Sequence, residues 1–251
     1  IAVERARDRY LLIRFTGVCN GPIVITTDGV TLQGVGTAII DGGGQDAVTI
    51  AGAGRVALAG IEIRNGQNGV VAVNGGHVTL TAVNVHHHER FGISLQTSPS
   101  GVLSELTTSQ NGLHGLDVQT GSGATIIGSL TATGNRVFGI NVNGSALTMS
   151  QATVQASGNA LGIQIATGAN AFLNDPESVI NVTGNLSTGL TVVSGAQLFS
   201  FGGTINASGN PVAGVSVNSR AGLDLDAASA LNSFNNGQGV LIQHVSVITA
   251  F

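Results

Sequence analysis

The side chains best suited to chemistry crowd between residues 62 and 141: Glu62, Arg64, His86, His87, His88, Glu89, Arg90, His114, Asp117 and Arg136. Only 9% of the 251 residues are charged, so this density stands out. Imidazole and carboxyl groups can exchange protons with a substrate, and guanidinium groups can neutralise an anion. His114 and Asp117 are the candidate catalytic acid and base. His86, His87, Glu89, Arg90 and Arg136 are the candidate substrate-binding groups. A widened polar turn at 86–90, solvated and without a ligand, would also account for the charge. Metal binding is not expected. Successive residues on a strand face opposite sides, so "HHH" (86–88) cannot converge, and two histidines do not close a zinc site.

The remaining candidates are weaker. In "GLDLDA" (222–227), Asp224 and Asp226 should share one outward face, with Arg220 as the nearest cation. Paired carboxylates can share a proton or hold calcium, but a solvated strand face is the preferred reading. "AIIDGGG" (38–44) reads as a turn, because no Lys-Ser/Thr and no helix follow as a phosphate loop requires. The single cysteine, Cys19, excludes an internal disulfide framework.

These residues must be positioned by a repeat. Aligned on one glycine, the segments are "NGQNGVVAV" (65–73), "HERFGISLQ" (88–96), "NGLHGLDVQ" (111–119), "NRVFGINVN" (135–143), "NALGIQIA" (159–166), "NLSTGLTVV" (185–193), "NPVAGVSVN" (210–218) and "NNGQGVLIQ" (235–243). Each copy runs from Asn to Gly and on into apolar–polar alternation, the period of a strand. A period of 22–27 with several short strands implies stacked coils whose inward residues form aliphatic ladders. A leucine-rich solenoid would need a Leu pattern that is absent. The Asn is expected at a left-handed turn, bonded to the next coil, and the Gly where the chain turns tightly. In this register His88 replaces the Asn, between Asn65 and Asn111. Asp117 faces outward beside Ser94 and Asn141, in a polar strip fit to follow a glycan, with Phe91 and Phe138 as possible sugar platforms.

The "N-x-x-x-G-h-x-h" repeats, with "TGVCNGPIVITTDGVTLQG" (16–34) and "AIIDGGG", resemble right-handed parallel β-helix repeat proteins of the pectate-lyase-like superfamily. The resemblance covers nearly the whole chain. It implies an all-β fold: a single-stranded right-handed parallel β-helix of about eight to ten coils, as the handedness rule for parallel crossovers also requires. Residues 1–15 are expected to form an N-terminal cap, a short amphipathic helix followed by a strand, and 16–251 one β-helix domain. The superfamily includes polysaccharide lyases, hydrolases, epimerases, phage tailspikes and non-enzymatic surface proteins, so fold does not name activity. The "NTD", "DD", "GHG", "RIK" and "DPHD" motifs of its enzymes are absent.

Composition narrows the partners. A net charge of −4, with every basic residue an Arg, provides no footprint for nucleic acid and no basic membrane patch. No apolar run reaches the ~20 residues that span a bilayer. Low charge with abundant Gly, Ser, Thr and Asn suits a secreted, periplasmic or bacterial cell-surface protein. The functional expectation is a non-enzymatic structural or adhesive module with weak polysaccharide contact and no cofactor. The first alternative is a polysaccharide lyase, epimerase or hydrolase using the patch at 86–117, with Arg90 and Arg136 neutralising an acidic sugar. The second is a rigid spacer cut from a larger surface protein. The apolar C-terminal coil, "GVLIQHVSVITAF", is expected to pack on another chain or a missing domain.

Overall fold

The computed structural model describes residues 10–244 and 246–250. The expected cap helix at residues 1–9 lies outside them, and the described chain enters directly on the strand Leu11–Asn20. Every strand pairing is parallel, and each joins residues about one repeat apart, as in Ile93↔Leu116↔Ile140. No helix is present among the described residues. Among the described residues one sheet has ten strands, one per coil, which makes about ten coils. The other has sixteen, because several strands run through a bend and serve two faces of the solenoid. Ser100–Ser109 is such a strand: its register shifts between Ser104 and Leu106, where Glu105 takes φ 53°.

Aliphatic alternation builds the core. Val70, Ile93, Leu116, Ile140, Ile163, Leu190 and Val215 occupy one inward column, none more than 1% exposed. β-Branched and γ-branched aliphatics stacked one strand spacing apart, about 4.8 Å, fill a narrow cylinder without large rings.

At the corner before the strands of the ten-stranded sheet, a ladder of mostly buried asparagines runs along the axis from Asn111 to Asn236. Asn111, Asn135, Asn159, Asn185 and Asn210 each donate both a backbone N–H and an Nδ2 hydrogen to Oδ1 of the next asparagine, at 2.8–3.2 Å. Nδ2 of Asn159, Asn185, Asn210 and Asn236 also donates to a carbonyl of the preceding coil. A buried corner has no water to satisfy its amides, so the ladder does it.

The corner corrects three details. The left-handed residue is the one before the ladder Asn: Gln110, Gly134, Gly158, Gly184 and Gly209 have φ between 54° and 67°. The ladder closes on Asn236, while Asn235 takes the left-handed place, and in the coil below His88 the level position is Gly66, with Asn65 at φ 57°. The repeat glycines do not make the turn. They are there because adjacent coils touch: a Cβ on Gly92 or Gly139 would sit 2.7 Å from the carbonyl oxygen of Gly115 or Gly162.

Candidate functional site

The strand Asn84–His86 lies between Glu62–Arg64 and Thr107–Ser109, with Arg64, His86 and Ser109 in one outward column. The chain then turns at His87, leaves the corner through His88, Glu89 and Arg90, and enters the ten-stranded sheet at Ile93. This path divides the polar patch between two surfaces, where the sequence had implied one.

The first surface is the corner. His86 Nε2 lies 3.3 Å from Glu62 Oε1, and Arg64 Nη1 lies 3.1 Å from the same oxygen. Arg64 Nε donates to Asp41 Oδ2 at 3.2 Å, and Asn65 Nδ2 donates to it at 2.8 Å. The Asn65 bond leads the causes that hold the Asp41 carboxyl below its usual range. The Nδ1 atoms of His86 and His87 are 2.6 Å apart. Burial pushes the His86 imidazole pKa down, partly offset by the Glu62 charge, while His87 lowers it further. His87 itself stands at φ 56°, in the column that carries glycine in the later coils. Beside it opens a shallow cleft of about 440 Å³, lined by His87, His88, Glu89, Gln110, Asn111 and Arg136 among others.

His88 belongs to the frame of this cleft. It is 2% exposed and occupies the ladder position. Its Nδ1 accepts from the Gly66 N–H at 3.0 Å, its Nε2 faces the Ile63 carbonyl at 3.2 Å, and its own N–H donates to Asn111 Oδ1 at 3.1 Å. The ring thus does the work of the asparagine it replaces. Burial lowers its pKa to about 4, so it is neutral at neutral pH.

The second surface is the outer face of the ten-stranded sheet. Arg90 packs over the Phe91 ring at 5.0 Å, and Phe91, His114 and Phe138 stack along the axis with centroids 5.3 and 4.8 Å apart. The rings are tilted by 42° and 44° to one another, with Phe91 6% exposed and Phe138 half-buried. Burial lowers the His114 pKa to about 4. Asp117 lies level with Ser94 and Asn141, as expected, but it is 0% exposed. Asn141 Nδ2 donates to its Oδ1 at 2.8 Å, Ser94 Oγ lies 3.4 Å from its Oδ2, and Gln119 Nε2 donates to the same oxygen. Burial raises its pKa against these bonds. A carboxylate so enclosed and saturated does not reach a polymer on the surface. Asp117 is therefore embedded and His114 half-buried, whereas His87, Glu89 and Arg136 line an open cleft.

The aspartates near the C-terminus separate too. Asp224 lies on the strand Gly222–Leu225, but Asp226 sits in the corner after it, where it accepts from Gly202 N–H at 2.9 Å and Ser229 Oγ at 2.7 Å. It is a turn cap. Among the described residues, no group of three or more His, Cys, Asp or Glu side chains is arranged to hold a metal ion.

The sequence signal that could have located the cleft was the residue before the ladder asparagine. A histidine in a left-handed place that later coils give to glycine costs about 1–2 kcal/mol. Asn65 and Gln110 take the same place at φ 57° and 54°, so what distinguishes His87 is its ring and not its backbone.

Several solved structures share this fold. The alginate lyase from Paenibacillus sp. str. FPU-7 aligns at 11% identity and a TM-score of 0.67, covering 94% of this chain and 91% of its own. Pectate lyase Pel9A aligns at 15% and 0.58, covering 90% and 70%. The catalytic unit of the thermostable GH87 alpha-1,3-glucanase from Streptomyces thermodiastaticus strain HF3-3 aligns at 11% and 0.54, covering 95% and 60%. No curated protein gives a significant sequence match. These neighbours are polysaccharide-active enzymes, and they overturn the expectation of a non-enzymatic module in favour of the enzymatic alternative. At such identities they fix the fold and leave the activity to be argued from the site. The family described as "Right handed beta helix region" matches residues 13–204, three-quarters of the chain, and this protein belongs to it.

Proposed function

We propose that the protein is a polysaccharide-active enzyme, a lyase, epimerase or hydrolase, and that its active site is the corner cleft. The observation that carries this reading is the meeting of His87, Glu89 and Arg136 at one open cleft on an otherwise weakly charged solenoid. An imidazole, a carboxylate and a guanidinium supply a proton acceptor, a hydrogen-bond acceptor for sugar hydroxyls and a positive charge for an anionic sugar group. His86 supports His87, while Arg90, His114 and Asp117 stand on the separate surface of the sheet face and are not part of the cleft. A polymer lying along the axis would meet successive coils about 4.8 Å apart, so a long chain can be gripped repeatedly. A substrate of this class places the protein in a secreted, periplasmic or surface setting. No helix among the described residues is long and apolar enough to cross a membrane.

The test is a panel of uronate and neutral polysaccharides, scored by new reducing ends and by the ultraviolet absorbance of unsaturated products. The reading expects one polymer class to react. Arg136→Gln should raise KM for an anionic polymer about tenfold and leave a neutral one unaffected. A protein that processes no member of the panel sinks the proposal.

A further inference from the structure

We propose that Glu62 and His86 are positioning residues that hold His87 with its proton on Nδ1, leaving Nε2 as the proton acceptor in the cleft. This deepens the proposed function and rests on reading the cleft as the active site.

The assignment follows from counting protons. Ionised Glu62 can only accept a hydrogen bond, so His86 Nε2, 3.3 Å away, must donate. A neutral imidazole carries one N–H, so His86 Nδ1 is then bare and can only accept. His87 Nδ1 is 2.6 Å from it, a separation that holds one proton, so that proton belongs to His87. Neutral His87 therefore keeps a bare Nε2, to which no group among the described residues bonds. The downward shift of the His86 pKa, through burial first, supports the neutral state on which this count depends.

The relay is anchored from below. Arg64 Nη1 pins Glu62 Oε1, and Asp41 pins Arg64 in turn. Adjacent strands hold Arg64 level with His86. The other groups facing the pair are His88 and Glu89 on the same coil, the uncharged Ser109 and Gln110 on the next, and Arg136 across the cleft. Glu62 is thus the carboxylate directly behind His86. In the step itself, one proton leaves a substrate O–H or C–H for His87 Nε2. The electron pair of the broken bond stays on the substrate, and His87 becomes an imidazolium. Its Nδ1–H remains on His86, His86 keeps Nε2–H on Glu62, and the carboxylate offsets the new charge. No proton needs to travel along the relay.

Two readouts test this without any polysaccharide. Nitrogen-15 correlation spectra of the histidine rings near neutral pH should show His87 with the proton on Nδ1 and His86 with it on Nε2. His87 protonated on Nε2 in the intact protein overturns the proposal. Diethyl pyrocarbonate acylates a bare imidazole nitrogen, and labelling at each histidine is read by peptide mass spectrometry. Glu62→Leu, which removes the acceptor behind His86, should slow labelling of His87 about tenfold while His77 and His244 label as before, with an unchanged circular dichroism spectrum. Equal His87 rates in the two proteins also overturn it. A chain with the expected tautomers that processes no polysaccharide keeps the relay and loses the enzymatic reading. A chain that is active with His87 protonated on Nε2 loses the relay alone.

Discussion

The coils from Asn135 to Asn236 and those from Asp41 to Asn111 are built on one plan and furnished differently. In the later coils up to Asn210 the corner reads glycine then asparagine, as at Gly158–Asn159 and Gly184–Asn185, and each amide bonds the next at 2.8–3.2 Å. In the earlier coils Gly66 and His88 stand in the asparagine column, and Asn65, His87 and Gln110 take the left-handed place. The regular half shows what the fold needs at that corner. Whatever the irregular half adds beyond that need is available for chemistry: His88 still satisfies the frame, whereas His87 makes no frame contact that glycine lacks.

Breaking the regular half should have the largest effect. Asn159 is 0% exposed, accepts from Asn135 through both N–H and Nδ2, and donates to Ala132 O. Asn159→Leu strands several buried polar groups and should cost about 4 kcal/mol, read from urea unfolding. His88→Asn should cost far less, because it restores the ladder residue. A similar loss in both would remove the distinction between the halves.

Acid should weaken the irregular half next. His88 and His114 have folded pKa values lowered to about 4 from an ordinary 6.5. Between those values the unfolded chain binds more protons, so stability is full above pH 6.5 and falls as pH drops toward 4. Two and a half pK units amount to about 3 kcal/mol for His88, and His88→Asn should abolish that share. Stability that is flat over this window contradicts the buried neutral histidine.

Strain at the cleft should appear as a smaller gain. His87→Gly removes a side chain from φ 56° and should raise stability by about 1 kcal/mol while abolishing function. The smallest effect is expected at Asp117. Its folded pKa is raised, so its contribution to stability is fullest below the ordinary value of 3.8 and is lost as pH climbs through the folded one. Asp117→Asn should therefore change stability by less than about 1 kcal/mol, in the favourable direction at neutral pH and hardly at all in acid.

Much of the fold was legible because a solenoid repeats its requirements. Val83 and Val85 point inward and Ile93 and Leu95 re-enter the core, as alternation alone predicts. His88 reads correctly as the residue in the asparagine slot. The role of the repeat glycine did not, since a tight turn and a close approach of two backbones leave the same residue in the sequence. The patch was legible as a patch and not as two surfaces. Which way His87 and Arg90 leave the corner depends on one left-handed residue, and a one-residue offset put Asn65 where Gly66 stands beside His88. Asp117 faces outward as read, yet the Ser94, Gln119 and Asn141 side chains enclose it, and strand period carries no information about that cover.

The central claim is that the cleft at His87 processes a polysaccharide. The direct measurement is the steady-state rate on the polymer found reactive in the panel, for the intact protein and for His87→Ala. The account predicts a loss of about 100-fold or more in kcat/KM with an unchanged unfolding transition. Full activity in His87→Ala, or no turnover of any polymer by the intact protein, contradicts it.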